Sequence, residues 1–226
     1  MERRFHSAFS SIVQYLNITP YLYRYENQEF IDRFFDTGEI LISSFYQYSK
    51  YNDNQLGDKS EGSAINNGTT QDGKTIFAVT SFGHNAYCFC TSTLLQKELL
   101  EVFKRNSAFR IKDPINFILQ IEKSLTRVTE VLYGNCIYLP KRILSKEIGE
   151  LDLEKMKIND GSNNLSMDLM FQKVGELTGP EQLFLKNISY QQQCEYRLLW
   201  FTDSTVNNPI VLKCPEAIKF CEKIDF

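Results

Sequence analysis

The spacing of apolar residues along the chain predicts short helices alternating with short strands. Apolar side chains recur at helical spacing within several ranges, which are 5–17, 28–37, 94–105, 114–131 and 169–185. Runs rich in β-branched and aromatic residues predict strands at 21–25, 40–42, 75–81, 86–92, 109–111, 134–139, 192–202 and 210–213. This pattern favours an α+β protein, with residues 1–226 as a single mixed domain whose helices pack on a central, largely antiparallel sheet.

Local signals sharpen some of these boundaries. Asn27 and Gly38 are typical of the two ends of a helix. Asp113 followed by Pro114 is a strong helix-start signal, since proline suits the first helical position. The turn residues at 83–85 predict that strands 75–81 and 86–92 form a hairpin.

One stretch, residues 46–73, breaks the pattern and is predicted to be a long polar loop. It holds Asp53, Asp58 and Glu61, whose oxygens could bind a divalent cation. Their spacing differs from that of a calcium-binding EF-hand. A solvated loop or a substrate lid is therefore favoured over a metal site.

Composition excludes some classes of function. The formal net charge of -3 provides no overall basic field, which disfavours a protein held on DNA by charge alone. The six cysteines include no Cys-x-x-Cys pair, and His6 and His84 lie far apart, so no zinc site is predicted. No signal peptide and no 18-residue apolar run is evident, which predicts a reduced, cytoplasmic protein that does not contact a membrane.

The candidate chemistry centres on Glu195, where a polar stretch becomes an apolar strand containing Trp200, the only tryptophan. A buried glutamate is costly unless it is paired or used. The structural alternative is an ion pair between Glu195 and Arg197 on the same strand face. Arg24, on the first aromatic strand, likewise could serve only in a cation–π contact or an ion pair with Glu26 or Glu29.

Several motifs together carry a resemblance to known families. The opening strand–helix–strand, from Tyr21 to Ser44, and the closing Glu195-Tyr196-Arg197 resemble bacterial domains of unknown function. The order of a basic strand, a Ser/Thr strand and an acidic strand is similar to ADP-ribosyltransferases of the Arg-Ser-Glu type. The Gln-x-Glu motif that closes that family is matched by Gln193-Cys194-Glu195.

The resemblance implies an ADP-ribosyltransferase-like fold and NAD as the substrate. Glu195 would stabilise the oxocarbenium ion that forms when the nicotinamide–ribose bond breaks. Gln193, two residues earlier on the predicted strand and thus on the same face, would orient the acceptor. Arg24 would hold a phosphate or ribose of NAD. Either Ser81 or Ser92 would support the nicotinamide ribose. Either Tyr25 or Tyr87 would stack on the nicotinamide ring.

The implied activity is transfer of ADP-ribose to an intracellular macromolecule, either nucleic acid or protein. Such an enzyme would serve as a bacterial toxin or phage-defence effector, with an antitoxin or other regulator as a further partner. Two alternatives stay open, an NAD glycohydrolase and a non-catalytic interaction module; a nuclease using Asp58 and Glu61 is a weaker option. The transferase interpretation requires Arg24, Glu195 and one of the serines to meet in one cleft.

Overall fold

In the computed structural model, the described residues are 4–7, 19–50, 60–152, 155–157 and 164–226, without the side chains of 4–7, 49 and 50. The strands are β1 (Arg4–Ser7), β2 (Leu22–Glu26), β3 (Glu39–Ser44), β4 (Ser63–Thr69), β5 (Thr75–Ser81), β6 (Ala86–Ser92), β7 (Ser107–Ile111), β8 (Val128–Asn135), β9 (Ile137–Leu139), β10 (Ile143–Glu147), β11 (Leu185–Asn187), β12 (Glu195–Thr202), β13 (Ile210–Lys213) and β14 (Cys221–Ile224). The helices are α1 (Gln28–Thr37), α2 (Phe45–Lys50), α3 (Glu98–Val102), α4 (Pro114–Ser124) and α5 (Met167–Leu177). Among the described residues, three 3-10 helices cover Pro180–Phe184, Ile188–Gln193 and Pro215–Phe220.

Within the described ranges, the large sheet has the order β1-β8-β12-β6-β2-β7-β14, and β3 with β13 joins it through β6. Its pairings are antiparallel except that of β1 with β8. A smaller sheet has the order β10-β4-β5. The architecture is α+β and fits a single mixed domain, which confirms that part of the sequence prediction. None of the helices in the described part of the chain is long and apolar enough to cross a membrane.

The large sheet divides at β6. One edge of β6 is paired with β12 along its whole length. The opposite edge pairs with β3 at Tyr87 and Cys88 and with β2 only at Ser92. Between these two points, the Cys90 carbonyl accepts a hydrogen bond from the Arg24 side chain at 2.8 Å. The sheet is therefore forked at β6, and a gap opens between its two branches.

The main core fixes the position of β12 and β6. Trp200 of β12 is fully buried, and its indole nitrogen donates to the Ile118 carbonyl of α4 at 3.3 Å. Helix α4 begins as predicted, because the Asp113 side chain accepts from the backbone N–H of Asn116. Helix α1 also ends as predicted, at Gly38, whose φ of 78° favours glycine.

The prediction of a long polar loop over 46–73 is wrong, since the range includes most of α2 and all of β4. The inward positions of β4 are Ala64, Asn66 and Gly68, so no large apolar side chain marks the alternation. Asn66 is buried and donates to Thr80 of β5 at 2.7 Å. Asp53 and Asp58 lie outside the described residues.

The predicted hairpin of 75–81 with 86–92 is also wrong. Strand β5 pairs with β4, while β6 lies in the middle of the large sheet. Strand β5 exposes alternate side chains, including Phe77 and Val79, whereas β6 is buried along most of its length. The two strands therefore suit different layers, and this difference outweighs the turn signal between them.

Four predicted helices differ in extent, and within 169–185 the α-helix ends at Leu177 and is followed by a 3-10 helix and β11. Residues 4–7 form β1 beside β8 instead of a helix, and residues 8–18 lie outside the described part. The helix predicted to reach 131 ends at Ser124, because Leu125 is extended and the β-branched residues from Val128 onward form β8. Only Glu98–Val102 is α-helical within 94–105.

Candidate active site

A cavity of about 290 Å³ lies at the fork of the sheet. Its volume is close to the lower limit for small-molecule sites, about 300 Å³. The predicted site residues that line it are Arg24, Tyr25, Ser92, Gln193 and Glu195. They come from β2, from β6 and from the junction between the 3-10 helix Ile188–Gln193 and β12.

The Glu195 carboxylate is 3% exposed and is held by two cations. Its Oε1 accepts from Arg197 Nε at 2.6 Å, and its Oε2 accepts from Lys186 Nζ. The Cys136 thiol lies 3.5 Å from Oε1, and the Glu195 backbone N–H donates to the Tyr138 hydroxyl at 2.7 Å. Burial alone would raise the pKa of Glu195, but Lys186 and Arg197 hold that pKa well below its usual range. Glu195 is therefore ionised at neutral pH.

Lys186, on the short strand β11, links Glu195 to Gln193. Its Nζ also donates to Gln193 Oε1 at 2.7 Å and lies 4.8 Å from the centre of the Tyr190 ring. Burial would lower the pKa of Lys186, but the Glu195 carboxylate raises it above the ordinary value. The ammonium group therefore stays charged despite its burial.

Arg197 joins two carboxylates. Besides Glu195, it contacts Glu61, whose Oε1 lies 2.6 Å from Arg197 Nη1. This second contact is an ion pair without an aligned hydrogen bond, because Nη1 donates instead to the Leu183 carbonyl at 2.5 Å. Glu61 lines the cavity, and burial raises its pKa while the charge of Arg197 opposes that rise.

The backbone between Gln193 and Glu195 is not that of a strand. Gln193 ends a 3-10 helix, and Cys194 adopts the left-handed conformation with φ of 43°. The prediction that both residues lie on one strand face is therefore wrong, although both line the cavity and both bind Lys186. Ser92 fixes this bend, because its hydroxyl donates to the Gln193 carbonyl at 2.8 Å and accepts from the Leu94 N–H at 3.1 Å.

Arg24 is 19% exposed and already has protein partners. In addition to its bond to Cys90, it donates to Glu26 at 2.9 Å, and its guanidinium lies 4.7 Å from the centre of the Phe89 ring. The structural alternative raised from the sequence, a pairing with Glu26, is therefore present in the fold. Arg24 nonetheless lines the cavity, and a guanidinium carries more N–H donors than these two bonds use.

Tyr25 lines the cavity with its ring stacked on Phe103 at 5.1 Å. Its hydroxyl accepts from the Gln96 N–H at 2.8 Å. The hydroxyl is thus used to hold the chain that follows β6.

Ser81 and Tyr87 are not among the residues that line the cavity. Ser81 is exposed on β5, where its hydroxyl lies 3.2 Å from that of Ser63 and 3.3 Å from His84 Nε2. Tyr87 lies opposite Trp200 in the β6–β12 pairing and packs against the main core. Of the two serines, only Ser92 is close to Gln193 and Glu195.

Sequence reasoning gave no site role to Lys186 or Arg197, and it considered Glu61 only as a cation ligand or a nuclease residue. The pairing of Arg197 with Glu195 was foreseen as a structural alternative, since residues two apart on a strand share a face. Lys186 and Glu61 reach the site through long-range contacts that leave no local pattern. Within the described ranges, no cluster of three or more His, Cys, Asp or Glu side chains is placed to hold a metal ion.

Comparison with known proteins adds no assignment. No family model, no curated protein and no solved structure matches the chain. Function is therefore inferred from the geometry of the cavity and from the chemistry of the residues around it.

Proposed function

We propose that the cavity at the sheet fork binds NAD and that the protein transfers ADP-ribose from NAD to a macromolecule, either nucleic acid or protein. The observation that carries the proposal is the meeting of Arg24, Ser92 and Glu195 at one cavity. The resemblance to ADP-ribosyltransferases requires an arginine, a serine and a glutamate to meet in one cleft in this way. The corresponding biological setting is a bacterial toxin or phage-defence effector that acts under an antitoxin or another regulator.

The chemistry of Glu195 suits the reaction. Cleavage of the nicotinamide–ribose bond develops positive charge on the ribose, and a fixed, ionised carboxylate stabilises that charge. A carboxylate has about four lone-pair sites, so the bonds from Lys186, Arg197 and the Cys136 thiol leave one site for a ribose hydroxyl. The two cations reduce the net negative charge near the ribose, but they also hold the carboxylate in one orientation.

Hydrolysis of NAD is a second candidate, and the burial of the site favours it. Gln193 and Glu195 are 1% and 3% exposed. A side chain or base of a macromolecule needs access that a water molecule does not. With water as the acceptor, the same residues would release free ADP-ribose.

The experiment is incubation of the protein with NAD labelled on the adenylate group, with and without bacterial lysate. We expect label on a macromolecule, and at least a roughly 100-fold loss of that transfer in Glu195→Gln. Glu222→Gln is the matched control, since Glu222 is paired with Arg110 and is not part of the cavity lining.

Free labelled ADP-ribose without labelled polymer would favour the hydrolase. Neither product from the wild-type protein would overturn both candidates. Equal transfer by the wild type and Glu195→Gln would remove Glu195 from the mechanism. Chemical unfolding of each variant separates lost chemistry from lost folding.

A further inference from the structure

Two carboxylates, Glu61 and Glu195, share the wall of the cavity. They reach it from distant parts of the chain, one just before β4 and the other at the start of β12. Arg197 contacts both, with Nε 2.6 Å from Glu195 Oε1 and Nη1 2.6 Å from Glu61 Oε1. The guanidinium of Arg197 therefore bridges the two carboxylates, and the Glu195 charge is felt at Glu61.

The two carboxylates have different hydrogen-bond partners. Glu195 accepts aligned hydrogen bonds from Lys186 and Arg197, which stabilise its charged form. The Oε1 atom of Glu61 is buried and has no aligned donor among the described residues, although it is in ion-pair contact with Arg197. The protein therefore stabilises Glu195 as an anion, whereas Glu61 Oε1 receives no aligned hydrogen bond among the described residues.

The pKa values follow this difference in partners. Burial raises the pKa of Glu61 and the neighbouring Glu195 charge adds to the rise, while Arg197, Lys186 and Arg142 oppose it. The pKa of Glu195 is instead held low. Paired groups whose pKa values are moved apart take different parts in proton transfer.

We infer that Glu61 is the general base that accepts the proton of the attacking acceptor, while Glu195 stabilises the ribose cation. This inference rests on the proposed function and extends it to a residue outside the Gln-x-Glu motif. Glu61 suits the role because it lines the same cavity as Glu195 and has an oxygen without an aligned donor.

The step balances with NAD and an acceptor hydroxyl as its only reactants. The bond between ribose C1′ and the nicotinamide nitrogen breaks, and its electron pair leaves with neutral nicotinamide. The acceptor oxygen forms the new bond to C1′. Its proton passes to a Glu61 oxygen and from there to water. With water as the acceptor, the products are ADP-ribose, nicotinamide and one proton.

The test uses the full chain and measures nicotinamide release by the wild type, Glu61→Gln and Glu61→Asp. Removing a general base lowers turnover by about 10²- to 10⁴-fold, and we expect Glu61→Gln to fall in this range. Glu61→Asp keeps a carboxylate and should retain part of the activity. Glu222→Gln again serves as the control.

Azide supplies the specific readout. It attacks carbon without losing a proton, so it should restore nicotinamide release in Glu61→Gln and give a ribosyl azide visible by mass spectrometry. It should not rescue Glu195→Gln, which lacks the charge that stabilises the cation. The turnover of the wild type should fall as the pH drops through the pKa of Glu61, and Glu61→Gln should lose this dependence.

Three results would overturn the inference. The first is wild-type turnover with an unchanged pH profile in Glu61→Gln. The second is a folded Glu61→Gln protein that azide does not rescue. The third result applies if Glu61→Gln fails to fold. It is a pH profile of Glu61→Asp that is identical to that of the wild type. Absence of nicotinamide release by the wild type would instead overturn the proposed function itself, and the base role with it.

Discussion

Arg24 and Arg197 approach the same residue of β6 from opposite sides. Arg24 donates to the Cys90 carbonyl from the open edge of the strand, and Arg197 lies opposite Cys90 in the β6–β12 pairing. Arg24 is 19% exposed and lines the cavity, whereas Arg197 is 1% exposed and is not among the lining residues. Two arginines on the two strands that flank β6 thus occupy different electrostatic environments.

The different environments of the two arginines suit different roles, one in stability and one in ligand binding. A fully buried guanidinium needs anionic partners in the folded protein, and Arg197 has two of them. The Arg24 guanidinium lines the cavity, where a bound phosphate could replace part of its contact with Glu26. Substitutions at Arg197 should therefore act mainly on folding, and substitutions at Arg24 mainly on ligand affinity.

The largest expected effect is that of Arg197→Met. It leaves Glu195 and Glu61 buried with Lys186 as their nearest cation. Removing one partner of a buried ion pair costs about 3–5 kcal/mol, and we expect a loss of that size in the free energy of unfolding. Urea titration at pH 7 measures it. Arg127→Met, at an exposed contact with Asp203, should change stability by less than about 0.5 kcal/mol. A loss at Arg197 as small as that of the control would contradict the comparison.

The pH dependence of stability comes next. The folded-state pKa of Glu195 lies below its ordinary value of 4.5, so Glu195 stabilises the fold above that pH and loses this effect as the pH falls. The pKa of Glu61 is raised, so its contribution has the opposite sign and is lost as the pH rises above 4.5. We expect Glu195→Gln to flatten the acid side of the curve and Glu61→Gln to flatten the neutral side. Urea midpoints between pH 3 and 7 provide the test, and curves parallel to that of the wild type would contradict it.

Arg24→Met should weaken NAD binding about tenfold or more, which corresponds to about 1.4 kcal/mol. Calorimetric titration of NAD measures this change. Arg110→Met is the matched control, since Arg110 also pairs with a glutamate and lies 5.1 Å from the ring of Tyr21. Arg110 is not a cavity-lining residue, so its replacement should leave NAD affinity unchanged. Equal effects of the two substitutions would show that Arg24 has no special part in binding.

The smallest effect distinguishes the two candidate serines. Ser92→Ala leaves the Gln193 carbonyl and the Leu94 N–H without their side-chain partner in a buried position. We expect a loss of about 1 kcal/mol in the free energy of unfolding. Ser81→Ala, at an exposed position, should stay within about 0.5 kcal/mol. Thermal unfolding of both variants checks the difference, and an equal loss in both would argue against Ser92 as the fixed point of the bend.

Local signals in the sequence were sufficient for some elements and not for others. The end of α1 at Gly38 and the start of α4 at Asp113-Pro114 were predictable because these residues act on their immediate neighbours, whereas Asn27 precedes α1 without a side-chain capping bond. The pairing of Glu195 with Arg197 was foreseen for the same reason. Strand β4 was hidden because Asn66 and Gly68 occupy inward positions where apolar residues are expected.

The fork in the sheet and the positions of Lys186 and Glu61 follow from long-range pairing. Strand β6 pairs with β2, β3 and β12, and its own residues do not indicate which strands these partners will be. Gln193 shows a related limit. Its spacing from Glu195 suggested a shared strand face, but the left-handed Cys194 joins a 3-10 helix to a strand instead. The two residues meet Lys186 through this bend.

The hydrogen bond from Arg24 to the Cys90 carbonyl also has a consequence for selectivity. Between the points where β3 and β2 pair with β6, this side chain takes the place that a neighbouring strand would occupy. A ligand that draws the guanidinium away leaves a partly buried carbonyl without that donor, at a cost of about 1–3 kcal/mol. We therefore expect the proposed site to favour molecules that carry an acceptor for Arg24 together with an N–H or O–H group for Cys90. A simple anion offers only the first of these.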